Sequence, residues 1–254
     1  MSTPCLAHYG TTIANEEVQV GRTLAFHRAL GMQQMTFTDY PGLGRQWIFR
    51  RGIPDDPAYF EKDAFASTPA VSAPPVGAPR VADTIFRIAV DDPTATLDGL
   101  RVAGLVDAEP ADHVFVGPDA QAYELATTSS DRAANRAIFI WTDPSDLERI
   151  TADYVRLFGF AVVDDNADFH GLGRVRVLRR DVSPVTIGLL TPNDGATVAP
   201  RLTDDIFALV GYSHFRLGAP DKAAVQACSR EAFADTGDVS YVLFNHAYVE
   251  LVSL

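Results

Sequence analysis

Apolar residues along this chain follow two rhythms. Runs of period two, as in half-buried strands, give way to runs at helical spacing, and the sequence of runs recurs four times. In the first block Ala7–Ile13 reads as a strand. Asn15 is placed to cap a helix carrying Val18, Leu24 and Ala25 at near-helical spacing, and Gly31 suits the left-handed residue that ends it. Strands follow at Gln34–Thr38, Gln46–Arg51 and Ala58–Asp63. The second block has a strand at Ile85–Val90, a helix over Pro93–Ala103 ended by Gly104, and strands at His113–Val116 and Ala122–Thr127. The third has Ala137–Thr142, a helix over Ser145–Phe158 with Ser145 as cap and Gly159 as stop, then strands at Ala161–Val163, Val175–Arg179 and Val185–Leu190. The fourth has Tyr212–Leu217, a helix from Asp221 to about Ala234, and strands at Ser240–Phe244 and Ala247–Val252, with its second strand short or absent.

The blocks pair into a duplication. Asp39-Tyr-Pro-Gly-Leu-Gly-Arg45, followed by Phe49-Arg50-Arg51, recurs as Asp168-Phe-His-Gly-Leu-Gly-Arg174, followed by Leu178-Arg179-Arg180. The offset, 129 residues (39 to 168), also relates Phe86-Arg87-Ile88 to Phe215-Arg216-Leu217 and Asp92 to Asp221. Two similar halves of about 125 residues make up the chain. The Gly-Leu-Gly-Arg pieces are not nucleotide loops, because each precedes a strand rather than a helix N-terminus.

Composition narrows the functional classes. With 254 residues, 47% hydrophobic and 21% charged, the chain has the make-up of a folded protein with a substantial core. A net charge of −12 without a basic stripe argues against nucleic-acid or anionic-membrane partners, and Arg50-Arg51 and Arg179-Arg180 read as solvated strand ends. No apolar run reaches the roughly 18 residues of a membrane span. The N-terminus lacks the pattern of a signal peptide, so Cys5 and Cys228 are expected to be reduced thiols in a cytoplasmic protein.

Asp146-Leu-Glu-Arg-Ile-Thr-Ala-Asp-Tyr154-Val-Arg-Leu-Phe158-Gly159-Phe160 resembles the helix of the vicinal-oxygen-chelate superfamily, often written D-L-x-x-A-x-x-F-Y-x-x-x-L-G-F. Leu24-Ala-Phe26-His-Arg-Ala-Leu30-Gly31-Met32 is a second instance. Ala58-Tyr-Phe-Glu61, Ala122-Tyr-Glu124 and Ala247-Tyr-Val-Glu250 resemble that superfamily's last strand, which often carries a metal-binding Glu. The resemblance implies an α+β fold of four βαβββ-like units forming two cupped mixed sheets. It also implies a divalent metal ion held by the first strands of two paired units and a last strand, a small-molecule substrate, and an architecture in which homodimers are common.

Within that framework the first strands offer His8 and His214, and the last strands Glu61, Glu124 and Glu250. Pairing units one and four unites His8, His214 and Glu250 as a two-His-one-carboxylate set, with Glu61 a candidate fourth ligand. The long connections Ser67–Val81 and Pro192–Asp205 and the shorter Thr128–Asn135 fit this arrangement. Residues 1–66 with 205–254 then form the metal-site lobe and 82–195 the second lobe, joined through 67–81 and 192–205. Alternation sets His246 and Tyr248 on the face of Glu250, where they can move protons, and sets Tyr212 and Arg216 on the face of His214, where Arg216 can hold a substrate oxyanion. These three, His246, Tyr248 and Arg216, are the candidate catalytic residues. His27 and His113 read as surface residues, and His170 as part of a loop in the other lobe. The His–His–Glu set points first to Fe(II) and a ring-cleaving dioxygenase acting on an oxygenated aromatic. The alternatives are a glyoxalase-like lyase or isomerase using Zn, Ni or Mn with Glu61 as fourth ligand, and a metal-free protein that sequesters small molecules such as antibiotics.

Overall fold

The computed structural model describes residues 7–51, 58–66, 79–181, 185–193, 197–200, 211, 213–231 and 239–254. Unit one comprises β1 (Ala7–Thr12), α1 (Glu17–Ala29), β2 (Gln33–Tyr40), β3 (Gly44–Arg51) and β4 (Ala58–Phe65). Unit two comprises β5 (Thr84–Val90), α2 (Pro93–Val102), β6 (Ala108–Ala111), β7 (Val114–Val116) and β8 (Ala122–Thr127). A short helix, α3 (Arg132–Asn135), leads into unit three, with β9 (Ala137–Trp141), α4 (Leu147–Phe158), β10 (Ala161–Phe169), β11 (Gly173–Arg180) and β12 (Val185–Pro192). Unit four has β13 (Ser213–Ala219), α5 (Lys222–Ala227), β14 (Arg230–Glu231), β15 (Val239–Phe244) and β16 (Ala247–Ser253).

These strands form two eight-stranded mixed sheets. Sheet one runs β14-β15-β16-β13-β1-β4-β3-β2, from units four and one. Sheet two runs β10-β11-β12-β9-β5-β8-β7-β6, from units three and two. Each is two four-stranded halves joined at an antiparallel centre, with Tyr9 opposite Phe215 in sheet one and Ile138 opposite Phe86 in sheet two. Residues at the 129 offset meet where the halves of the molecule face each other: Thr84 Oγ1 lies 2.5 Å from Ser213 Oγ.

One side of each sheet and the helices share a single core. Tyr9, Phe49, Phe60, Phe86, Phe115 and Phe215 come from the strands. Val20, Phe26, Leu100, Tyr154, Phe158 and Val225 come from the helices. In α4, Ile150, Tyr154, Leu157 and Phe158 recur every three or four residues on the buried side, and Gly159 at φ 73° ends the helix. An ionic staple crosses between the sheets. Lys62 Nζ lies 2.9 Å from Asp119 Oδ2 and donates to Tyr123 Oη and Thr11 Oγ1 at 3.0 Å, while Tyr123 donates to Asp119 at 2.5 Å. Lys62 and Asp119 are wholly buried, so the charges are paired where neither could be hydrated. No helix among the described residues is long and apolar enough to cross a membrane.

Several local expectations change. Asn15 does not cap α1. Its carboxamide oxygen accepts from Arg45 Nη2 at 2.7 Å and the N-cap residue is Glu16. The buried face of α1 is Val20, Thr23, Phe26 and His27, and Val18 is exposed. His27 is therefore a core residue, stacked on Phe49 with ring centroids 4.6 Å apart, and burial holds its imidazole neutral down to about 3. Ahead of α4 the cap is Asp143, which accepts from the Ser145 amide and starts a 3-10 turn over Pro144–Asp146. β10 extends to Phe169, and α5 stops at Ala227 to enter β14. Tyr212 lies outside the described residues.

Candidate metal centre

The other side of sheet one is polar. Register fixes which side chains share it: Gly10 is opposite Glu61 and His214, His8 opposite Tyr59, His214 beside Tyr248, and Arg216 beside Glu250. Alternation along β1, β4, β13 and β16 therefore turns His8, Glu61, Asp63, His214, Arg216, Tyr248 and Glu250 toward one side. Four central strands deliver four ionisable side chains to one spot.

Ligand atoms of His8, His214 and Glu250 all lie within 4.8 Å of one another, and all three residues are buried. His8 Nδ1 is 3.4 Å from Glu250 Oε2. Glu61 joins them, with Oε2 at 3.0 Å from His8 Nε2 and Oε1 at 3.8 Å from His214 Nε2. Yet His8 Nε2 and His214 Nε2 are buried and make no hydrogen bond. Buried ring nitrogens that complete no hydrogen bond are costly, and convergence of two of them with two carboxylates is the donor set that fits a divalent cation. Gly10 makes the packing possible: a Cβ built there would overlap the His214 imidazole.

The surroundings tune each donor. Burial alone would raise the Glu61 carboxyl, but the imidazoles of His8 and His214 outweigh it and hold Glu61 below the usual carboxylate range. Glu250 is likewise lowered against burial by His8, His214 and Arg216, whose Nε donates to Oε2 at 2.9 Å. Burial lowers His214, favouring the neutral ring that a ligand must be. Burial, reinforced by the Glu61 charge and by a hydrogen bond to Glu61, pushes the Asp63 carboxyl well above the usual carboxylate range. Tyr241, opposite Glu250 in the β15–β16 hairpin, is hydrogen-bonded to that carboxylate, and its phenol is raised by burial and by Glu250.

Of the candidate catalytic residues, Tyr248 is buried on this face and Arg216 is tied to Glu250. His246 is not on the strand. Asn245 and His246, at φ 47° and 67°, form the two-residue turn between β15 and β16, and His246 is exposed. A turn with two left-handed residues breaks the alternation that would set His246 beside Glu250. Asp63, Tyr241 and Gly10 were missed by the sequence reading. The spacing Glu61-x-Asp63 carried the first, and the hairpin register carried the second.

The corresponding face of sheet two carries a different set. Matching the central pairs aligns His8 with Ala137, Gly10 with Phe139, His214 with Ile85, Glu61 with Gly188 and Glu250 with Glu124. Phe139 occupies the space over Gly188, where a Cβ would overlap its ring. Glu124 is held by Arg87 (Nε to Oε2 2.6 Å, Nη2 to Oε1 2.9 Å) and lies 2.9 Å from His170 Nε2. Phe139, Trp141, Phe169, Val175 and Leu190 complete an apolar plug.

No protein-family model matches the chain, and no curated protein matches it. Solved structures do. Glyoxalase I from Zea mays superposes with a TM-score of 0.62 at 13% identity, covering 97% of this chain and 91% of that one. Two mutants of the same maize enzyme superpose with TM-scores of 0.62 and 0.60 at 14% and 13% identity, again over 97% of this chain and over 91% and 92% of theirs. The chain has the duplicated, two-sheet α+β fold of these glyoxalase I structures.

Proposed function

We propose that this chain is a metal-dependent enzyme of the vicinal-oxygen-chelate kind, a glyoxalase-like lyase or isomerase with one divalent ion held by His8, Glu61, His214 and Glu250. The observation that carries this reading is Glu61, which stands beside both imidazoles rather than in a loop. Two neutral imidazoles and two carboxylates balance a 2+ charge. A six-coordinate ion held by all four would have two further positions for oxygens of a small substrate. An ion bound there would supply Lewis-acid polarisation of those oxygens.

The protein's own groups divide the remaining work. Glu250 is pinned by Arg216 and Tyr241, whereas Glu61 has no guanidinium partner among the described residues. Glu61 is thus the carboxylate able to swing and take a proton from a carbon next to a substrate oxygen. Asp63, its carboxyl held well above the usual range, is the hydrogen-bond neighbour of Glu61 on the same strand. Tyr248, buried on the same face, would border substrate oxygens held at such an ion.

A second reading has its own observation. His8, His214 and Glu250 form a compact trio without Glu61, the set that favours Fe(II), three open positions and ring cleavage of an oxygenated aromatic by O₂. One experiment separates them. Protein purified without oxygen is analysed for metal, then assayed against 2-oxoaldehyde–thiol adducts and, in an oxygen electrode, against catechols and hydroquinones. Zinc, nickel or manganese with isomerisation supports the first reading, and iron with O₂ uptake the second. A chain that takes up no divalent ion under any of these conditions defeats both.

A further inference from the structure

The molecule contains its own comparison for the β2–β3 turn of sheet one. The β2–β3 turn (residues 40–44, Tyr-Pro-Gly-Leu-Gly) and the β10–β11 turn (residues 169–173, Phe-His-Gly-Leu-Gly) are built alike. Leu43 N donates to Tyr40 O, and Leu172 N to Phe169 O, both at 2.9 Å. Gly42 and Gly171 take φ 77° and 73°. Tyr40 pairs with Gly44 as Phe169 pairs with Gly173.

Their surroundings differ. Phe169 is 4% exposed and lies on Phe139 with ring centroids 4.3 Å apart, and Leu172 packs against the same cluster. Tyr40 is 45% exposed and Leu43 69%. The reason lies beneath the turn. Phe139 aligns with Gly10, so sheet one offers no ring there but a polar centre of imidazoles and carboxylates. The hairpins differ as well: β10 has two bulges against β11, β2 only one against β3, and the second bends β10 further.

We infer that Tyr40 and Leu43 clamp an apolar, ring-sized part of the substrate, which takes the place under the β2–β3 turn that Phe139 takes under the β10–β11 turn. The substrate class is then a small molecule whose two metal-facing oxygens are joined to an aromatic or similarly flat apolar group. This rests on the metal-centred reading above. Tyr40 is a specificity-determining residue that touches the non-reacting part of the substrate. A phenyl-sized group seated beneath it gains the contact that Phe139 gives Phe169.

The test uses nickel-loaded protein and two chelators with the same pair of oxygens, benzohydroxamate and acetohydroxamate, with affinities measured by calorimetry. The wild-type chain should bind the phenyl compound about fivefold to tenfold more tightly than the methyl compound. Tyr40→Ala with Leu43→Ala should abolish that preference and leave acetohydroxamate affinity within about twofold, while Tyr40→Phe keeps it. Both side chains are surface residues, so the variants are expected to fold. If nickel and both chelators bind but the double alanine variant retains the preference, or loses affinity for both equally, the clamp is overturned and the metal centre stands. If no nickel is held, the metal-centred reading fails and the clamp with it.

Discussion

A glycine inside a central strand usually weakens it, and Gly10 instead leaves the room that the His214 ring occupies in the His8–Glu61–His214–Glu250 cluster. Gly10→Ala should displace the His214 ring and weaken metal binding by about 10–100-fold, as loss of ligand support does, with the circular dichroism spectrum unchanged. Glu61→Gln should retain the fold and lower turnover by about 100-fold or more, the usual scale for losing a general base, as read in kcat of the nickel form. Asp63 gives a pH signature in metal-free protein. Its folded-state carboxyl is raised above the ordinary 3.8, so relative to a neutral isostere it costs stability once pH climbs past that value. Asp63→Asn should therefore melt at a higher temperature than wild type at pH 7, and the gap should close toward pH 4. At this scale His8, His214 and Glu250 were legible, because motif and alternation place them on corresponding strands. Gly10 and Tyr241 were not, since each acquires its role from a neighbouring strand; Asp63, two residues from Glu61 on β4, was carried by the spacing and passed over. His246 misled for a local reason: Asn-His hides a turn that Asn-Gly would have announced.

Elements show what pattern alone can carry. The amphipathic stripe of α4 and its stop at Gly159 are plain in the sequence, and the strand repeats are too. The cap and buried face of α1 are not, because Arg45 from a distant strand recruits Asn15, and because Thr23 and His27 are buried by tertiary packing that no hydropathy pattern announces. The Lys62–Asp119 staple is the clearest case of an unreadable contact: both residues look like surface charges, yet β4 and the β7–β8 turn enclose them. Asp119→Ala would strand a buried ammonium and should cost about 3–5 kcal/mol in chemical denaturation, whereas a paired apolar replacement of Lys62 and Asp119 should cost much less.

The molecule as a whole has one equipped face and one plugged one. Ala137, Ile85 and Gly188, at the positions that His8, His214 and Glu61 hold in sheet one, leave Glu124 with Arg87 and His170. Metal analysis of saturated protein should accordingly give one ion per chain, and two would refute the plug. The duplication was legible at this scale from the 129-residue offset, but the plug was not, because Phe139 had to be seen over Gly188. There is also a consequence for biosynthesis. The strands of sheet two come from one uninterrupted middle stretch, whereas sheet one needs β1 and β16, the first and last strands described. A chain emerging from the ribosome can therefore close the plugged half while His8 and Glu61 wait, and their cluster with His214 and Glu250 cannot form until Glu250 has been translated.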